Sequence, residues 1–181
     1  MNLSCVKNYN SVSFGLRPVL NCSLKNNKRA VAYEVEDTKD DRQYFLDLCD
    51  KHHDKFYFLT KDEKIDFSKD KVYVLKNQED ETLAYAKCEK AGGAMMVNFL
   101  SARRDRKAEG AGTALLAGIS QGALDHNIST VMIDNPDRAW SFYYKCGFKT
   151  NDDVTELKAK ASRNYEKTMY DLIDKVKIAD A

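Results

Sequence analysis

The densest chemistry in this sequence lies in one stretch, Arg103-Arg104-Asp105-Arg106-Lys107-Ala108-Glu109-Gly110-Ala111-Gly112-Thr113. Glycine at 110 and 112 removes the Cβ that would otherwise hold a backbone off a ligand. Leu115, Leu116, Ile119 and Ala123 then recur at helical spacing, so the stretch opens a helix. The first N–H groups of such a helix have no partner inside it, and its dipole is positive at that end. An end of this kind takes anions, phosphate above all. Arg103, Arg104, Arg106 and Lys107 add charge suited to a pyrophosphate or a ribose phosphate. Gly-Lys-Ser/Thr is missing, which excludes a Walker loop, and GxGxxG is missing, which excludes a Rossmann turn. On these residues alone, a plain turn into a helix with its basic side chains in water stays open.

The elements around the loop follow from hydrophobic period. Val31, Tyr33 and Val35 alternate with Ala32, Glu34 and Glu36, the pattern of a half-buried strand. Asp37 or Thr38 then caps an amphipathic helix built on Tyr44, Phe45, Leu48 and Cys49, running to about His52. Lys71 to Lys76 and Thr82 to Glu89 read as strands on either side of the acidic turn Asn77 to Glu81. Gly92-Gly93 marks another turn before the more buried run Met95 to Ser101, which makes an antiparallel meander. Loop and helix lead on to the apolar strand Thr130 to Ile133, a connection that makes the two flanking strands parallel with a right-handed crossover. A second helix over Asp137 to Cys146 stops at Gly147, which suits the left-handed position past a helix end. From Tyr165 through Met169, Leu172, Ile173 and Val176 the period favours helix over strand. The fold class is mixed α/β, a mostly antiparallel central sheet with flanking helices.

At 181 residues the chain suits one domain, over 30–181, preceded by a mobile, basic, Asn/Ser-rich tail over 1–29. The first 33 residues carry five basic side chains and no acidic one, leaving 24 basic and 28 acidic for the rest. That leader fits an organelle-targeting or secretion segment in charge, but has no continuous apolar stretch or small-residue cleavage site. A net charge of +1, without interleaved basic and aromatic residues, argues against nucleic acid as a partner. The longest apolar run, Ala114 to Ile119, is far too short for a bilayer. Five cysteines at wide spacings, unpaired with the three histidines, point to reduced thiols, a cytoplasmic setting and no metal. His52 and His53 read as solvated surface. Monomer and homodimer both fit.

Two motifs together resemble a known family, the GNAT superfamily of acyl-CoA-dependent N-acetyltransferases. Its pyrophosphate loop follows a strand, opens a helix and reads Arg/Gln-x-x-Gly-x-Gly/Ala, here Lys107-Ala108-Glu109-Gly110-Ala111-Gly112. About 30 residues on, the family has Ala, two spacers, an apolar residue, Tyr, two more, then an apolar residue and Gly-Phe. Here that is Ala139-Trp140-Ser141-Phe142-Tyr143-Tyr144-Lys145-Cys146-Gly147-Phe148. The likeness covers Met95 to Thr150. Lys107 stands where Arg or Gln is usual, so the basic contact falls to Lys107 or Arg106. Glu109 sets a negative charge beside the expected pyrophosphate, which weakens binding unless its side chain turns outward. Asn135 is one position further from Ala139 than the family's Asn usually is.

The resemblance implies a GNAT-like fold that moves an acetyl group from acetyl-CoA to a primary amine of a small molecule, peptide or protein. It implies a V-shaped gap between the strand ending near Leu100, with Phe99, and the one ending near Asp134. Backbone N–H groups of Ala108, Glu109, Gly110, Ala111, Gly112 and Thr113 would hold the pyrophosphate, with Asn135 and Tyr143 completing the cofactor contacts. The amine must attack uncharged, so a base removes its proton, and the departing thiolate needs a donor. Tyr143 is the donor the resemblance offers, since a phenol titrating near ~10 stays protonated at neutral pH. Tyr144 lies ~100° round the helix from it. Asp134 is positioned to serve as the base, directly or through water, and Trp140 either packs or borders the acceptor. Two rivals remain: a CoA-binding domain on this fold without turnover, and an α/β module whose basic loop meets another protein.

Overall fold

The computed structural model describes residues 16–25, 27–36, 69–134, 136, 139–150, 156–160 and 168–178. Among the described residues eight strands form one sheet: β1 (Leu16–Ser23), β2 (Arg29–Val35), β3 (Asp70–Asn77), β4 (Thr82–Ala91), β5 (Ala94–Ala102), β6 (Thr130–Asp134), β7 (Lys149–Thr150) and β8 (Glu156–Lys160). Their order across the sheet is β1-β2-β3-β4-β5-β6-β8-β7. Three helices are described: α1 (Ala111–Asp125), α2 (Trp140–Lys145) and α3 (Thr168–Val176). The β3–β4–β5 meander, the helix α1 and the parallel partner β6 stand where the periodicity placed them. The C-terminal stretch is a helix, buried along Met169, Leu172, Ile173 and Val176. No helix among the described residues is long and apolar enough to cross a membrane. Cys22, Cys88 and Cys146 are free and buried.

Two expectations are corrected. The tail expected over 1–29 is strand from Leu16, because β1 pairs antiparallel with β2 from Leu16↔Val35 to Ser23↔Arg29. Its apolar residues Leu16, Leu20, Cys22 and Leu24 are buried, but Pro18 and a bulge between Pro18 and Leu20 break the alternation among the Asn and Ser residues. Residues 1–15, and the helix expected over 37–52, lie outside the described residues. Nor did the period of β2 show which face turns inward. Ala32 and Glu34 are the more deeply buried set, while Val31 and Tyr33 are half-buried. Ala32 lies under α1 so closely that a Cβ at Gly118 would come within 2.4 Å of its own Cβ. Small residues on both elements set that helix-to-sheet approach.

Glu34 tolerates burial because Arg17, Lys71 and His126 supply it with charge and hydrogen-bond partners. Arg17 donates to its Oε2, His126 Nε2 lies 2.9 and 3.0 Å from its two oxygens, and Lys71 Nζ stands 3.3 Å away. Arg17 also bonds Asp125 at 2.9 Å, so the cluster ties β1 and β2 to the end of α1. Burial pushes the Glu34 carboxyl up, but hydrogen bonds and charge from Arg17 and His126 outweigh it and hold the group below its ordinary range. A carboxyl lowered in the folded state contributes stability above its unfolded pKa of ~4.3. That contribution is lost as pH falls through the lower folded value. Urea unfolding at pH 7 and below pH 4 should therefore show acid destabilisation that Glu34→Gln diminishes; an undiminished acid loss would clear Glu34 of it.

Candidate active site

The site grows from the way two parallel strands part. β5 and β6 pair at Met95↔Val131, Met96↔Met132 and Val97↔Ile133, and no further. β5 nevertheless continues to Ala102, paired beyond Val97 with no described strand but β4. The break coincides with a bulge: Cys88 faces Val97 but Lys87 faces Phe99, so Asn98 is the extra residue and is exposed. A bulge bends and over-twists its strand, which turns the end of β5 away from β6. Phe99 and Leu100 follow it, half-buried, with the Phe99 ring 5.5 Å from that of Tyr85. Asp134 ends β6, backbone-paired with Glu156 of β8, and Asn135 lies outside the described residues.

The loop leaving β5 is fixed by its own polar groups. Asp105 caps a 3-10 turn over Arg106–Ala108, accepting from the Lys107 N–H at 3.0 Å and from Arg103 Nε at 2.7 Å. Ala108 is buried and Glu109 exposed. Gly110 is the N-cap of α1 with φ +89°, a conformation glycine adopts at little cost. The first helical bond runs from Ala114 N to Gly110 O at 3.0 Å, and no side chain caps the helix. The N–H groups of Ala111, Gly112 and Thr113 therefore lie in an uncapped first turn, the chemistry an anion requires.

Charge around this turn differs from the expectation at two residues. Glu109 turns toward Lys25 at the β1–β2 hairpin, Nζ to Oε1 3.5 Å, which is the outward placement a neighbouring anion needs. Nothing in the composition of residues 1–29 signalled that Lys25 would pack there, its backbone N 3.1 Å from where a Gly110 Cβ would be. Lys107 turns to the β3–β4 turn instead: its Nζ is 3.3 Å from Glu81 Oε2 and 3.6 Å from Glu79 Oε2. The hydrogen bond Lys107 donates to Glu81, then the charges of Glu81 and Glu79, raise the Lys107 ammonium. The Asn77 hydrogen bond, followed by that of Lys107, lowers the Glu81 carboxyl. Arg104 and Arg106 are exposed.

Helix α2 brings the aromatic residues to the same end. Phe142 lies over Gly112, 3.1 Å from where a Cβ there would stand, and Thr113 Oγ1 is 3.7 Å from Cys146 Sγ. Tyr143 is buried between Phe142 and Phe148, ring centroids 5.0 and 5.8 Å away. Burial, followed by the charges of Cys146 and Cys88, pushes its phenol up to about 12. Its hydroxyl has no hydrogen-bond partner among the described residues. Tyr144 is exposed and packs on Trp140 at 6.0 Å instead. Gly147 takes φ +92°, as its place past the helix end requires.

No protein-family model and no curated protein sequence matches the chain. Solved structures do. A protein of Lactobacillus plantarum assigned to the N-acetyltransferases aligns over 72% of this chain and 97% of its own at 18% identity, with a TM-score of 0.53. One of Klebsiella pneumoniae, assigned to the acyl-CoA N-acyltransferases, aligns over 71% and 95% at 10% identity and a TM-score of 0.50. A cAMP-binding acyltransferase of Mycobacterium smegmatis aligns over 88% of this chain and 53% of its own at 11% identity and a TM-score of 0.50. The chain has the GNAT acyl-CoA N-acyltransferase fold.

Proposed function

We propose that the protein is an acyl-CoA-dependent N-acyltransferase that moves an acetyl group from acetyl-CoA to a primary amine. The observation that carries this reading is the uncapped first turn of α1, set where β5 and β6 part and covered by the helix bearing Tyr143. The residues present fit the donor. The N–H groups from Glu109 to Thr113 hold the pyrophosphate, that of Ala108 being bonded instead to the Asp105 carbonyl at 3.1 Å, and Phe99 and Leu100 line the gap that takes the pantetheine arm. Bound there, acetyl-CoA supplies an activated acyl carbon.

The amine nitrogen bonds to that carbon, and the carbon–sulfur bond breaks with its electron pair going to sulfur. Tyr143 donates its proton to the sulfur, and the proton lost by the amine passes to Asp134, directly or through water. The raised Tyr143 phenol stays protonated at neutral pH, the state a donor needs. Glu109, whose charge beside the pyrophosphate would weaken binding, faces Lys25 instead, which supports the donor reading.

The test is thermal unfolding of the full chain with and without acetyl-CoA. At ~100 times its dissociation constant, a ligand adds ~2.7 kcal/mol, a rise of several degrees for a chain of this size. Thiol release on adding amines then separates an enzyme from a binder. No shift at millimolar ligand would remove the donor site and leave the fold alone.

A further inference from the structure

We propose that Glu79 and Glu81 act as an internal competitor for the anion loop, holding Lys107 away from the ligand's phosphates and thereby lowering the affinity of the α1 end for them. The inference takes its ligand from the donor reading above. The turn is built to present these two carboxylates. Asn77 Oδ1 accepts from the N–H groups of Glu79 and Glu81 at 3.0 and 2.8 Å, and Asn77 Nδ2 donates to Glu81 Oε2 at 2.9 Å. Asp80, between them, is turned the other way and pairs with Lys76. Glu79 and Glu81 are thus left to Lys107, whose ammonium lies 3.3 and 3.4 Å from the two oxygens of Glu81 and 3.6 Å from Glu79.

Lys107 is also the loop residue one turn of chain before the Gly110 cap, where a cation would meet a phosphate on the helix N–H groups. Arg103 is drawn the same way, Nη1 3.9 Å from Glu81 and bonded to Asp105. The Lys107 side chain is 50% exposed and Glu79 70%, so the contact is a solvated pair that a phosphate can displace rather than a lock.

The test is a mutant cycle read by calorimetric titration of the full chain with inorganic pyrophosphate and, separately, with CoA. Glu79→Gln/Glu81→Gln should bind both about threefold to fivefold more tightly than the parent. Lys107→Met should weaken binding less in the parent, where Glu79 and Glu81 compete for its charge, than in the double variant, where it should abolish the gain. Glu79→Gln alone keeps every Asn77 bond and should give part of the gain, which guards against a loosened turn in the Glu81 variant. Unchanged or weaker binding in the Gln variants overturns the proposal, as does a gain that survives Lys107→Met. CoA binding without this coupling sinks the competitor and spares the donor reading. Coupling on pyrophosphate with no CoA binding does the reverse, and binding of neither ligand removes both.

Discussion

Tyr143→Phe should lower the turnover of acetyl transfer by about 100-fold, the lower end of what a positioned proton donor contributes, with CoA affinity and melting temperature nearly unchanged. The substitution removes one oxygen and leaves the ring, so the contacts with Phe142 and Phe148 survive. The hydroxyl bonds no other described residue, so its loss strands no partner. These facts separate a chemical role from a packing role: a packing residue loses stability when altered, and a donor loses rate. Because burial holds the phenol near about 12, Tyr143 keeps its proton throughout any ordinary assay range. An alkaline fall in rate below pH 11 would then belong to another group and should persist in the Phe variant. Steady-state rates of thiol release and CoA titration on both proteins decide it. Equal turnover would return Tyr143 to the core.

The parts of this site that could be read in the sequence are those made by neighbours in the chain. The Gly110 and Gly112 pair, the apolar face of α1 and the Ala139 to Phe148 segment each carry their signal within a few residues, and each stands where that signal put it. What could not be read depends on partners far apart. Glu34 looks like the solvent side of a strand until Arg17, 17 residues away, and His126, 92 away, close on it. Lys107 looks like a free phosphate ligand until Glu81, 26 residues back, takes its charge. The bulge at Asn98 leaves no mark in composition, although it frees the end of β5 from β6. β1 was hidden by a proline and a shift of register, which broke the one local signal a strand offers.

Gly110→Val should cost the protein about 1–3 kcal/mol of stability, or several degrees of melting temperature, and weaken CoA binding about tenfold or more. Two separate physical reasons meet at this residue. Its φ of +89° is one that a β-branched side chain does not adopt without strain. A Cβ there would also lie 3.1 Å from the Lys25 backbone N and 3.3 Å from its Cγ, so the cap and the β1–β2 hairpin must move apart. The cap sets the direction of the N–H groups of Ala111, Gly112 and Thr113. A hydrogen bond to a charged group is worth about 1.5–3 kcal/mol, so misaiming one of them suffices for the tenfold loss. Gly110→Ala should fall between the two proteins in both measurements, since it adds the Cβ without the branch. Strain alone would lower stability and spare the ligand. A folded Val variant that binds CoA as tightly as the parent would therefore show that the phosphates are held elsewhere, and the anion loop would lose its assignment.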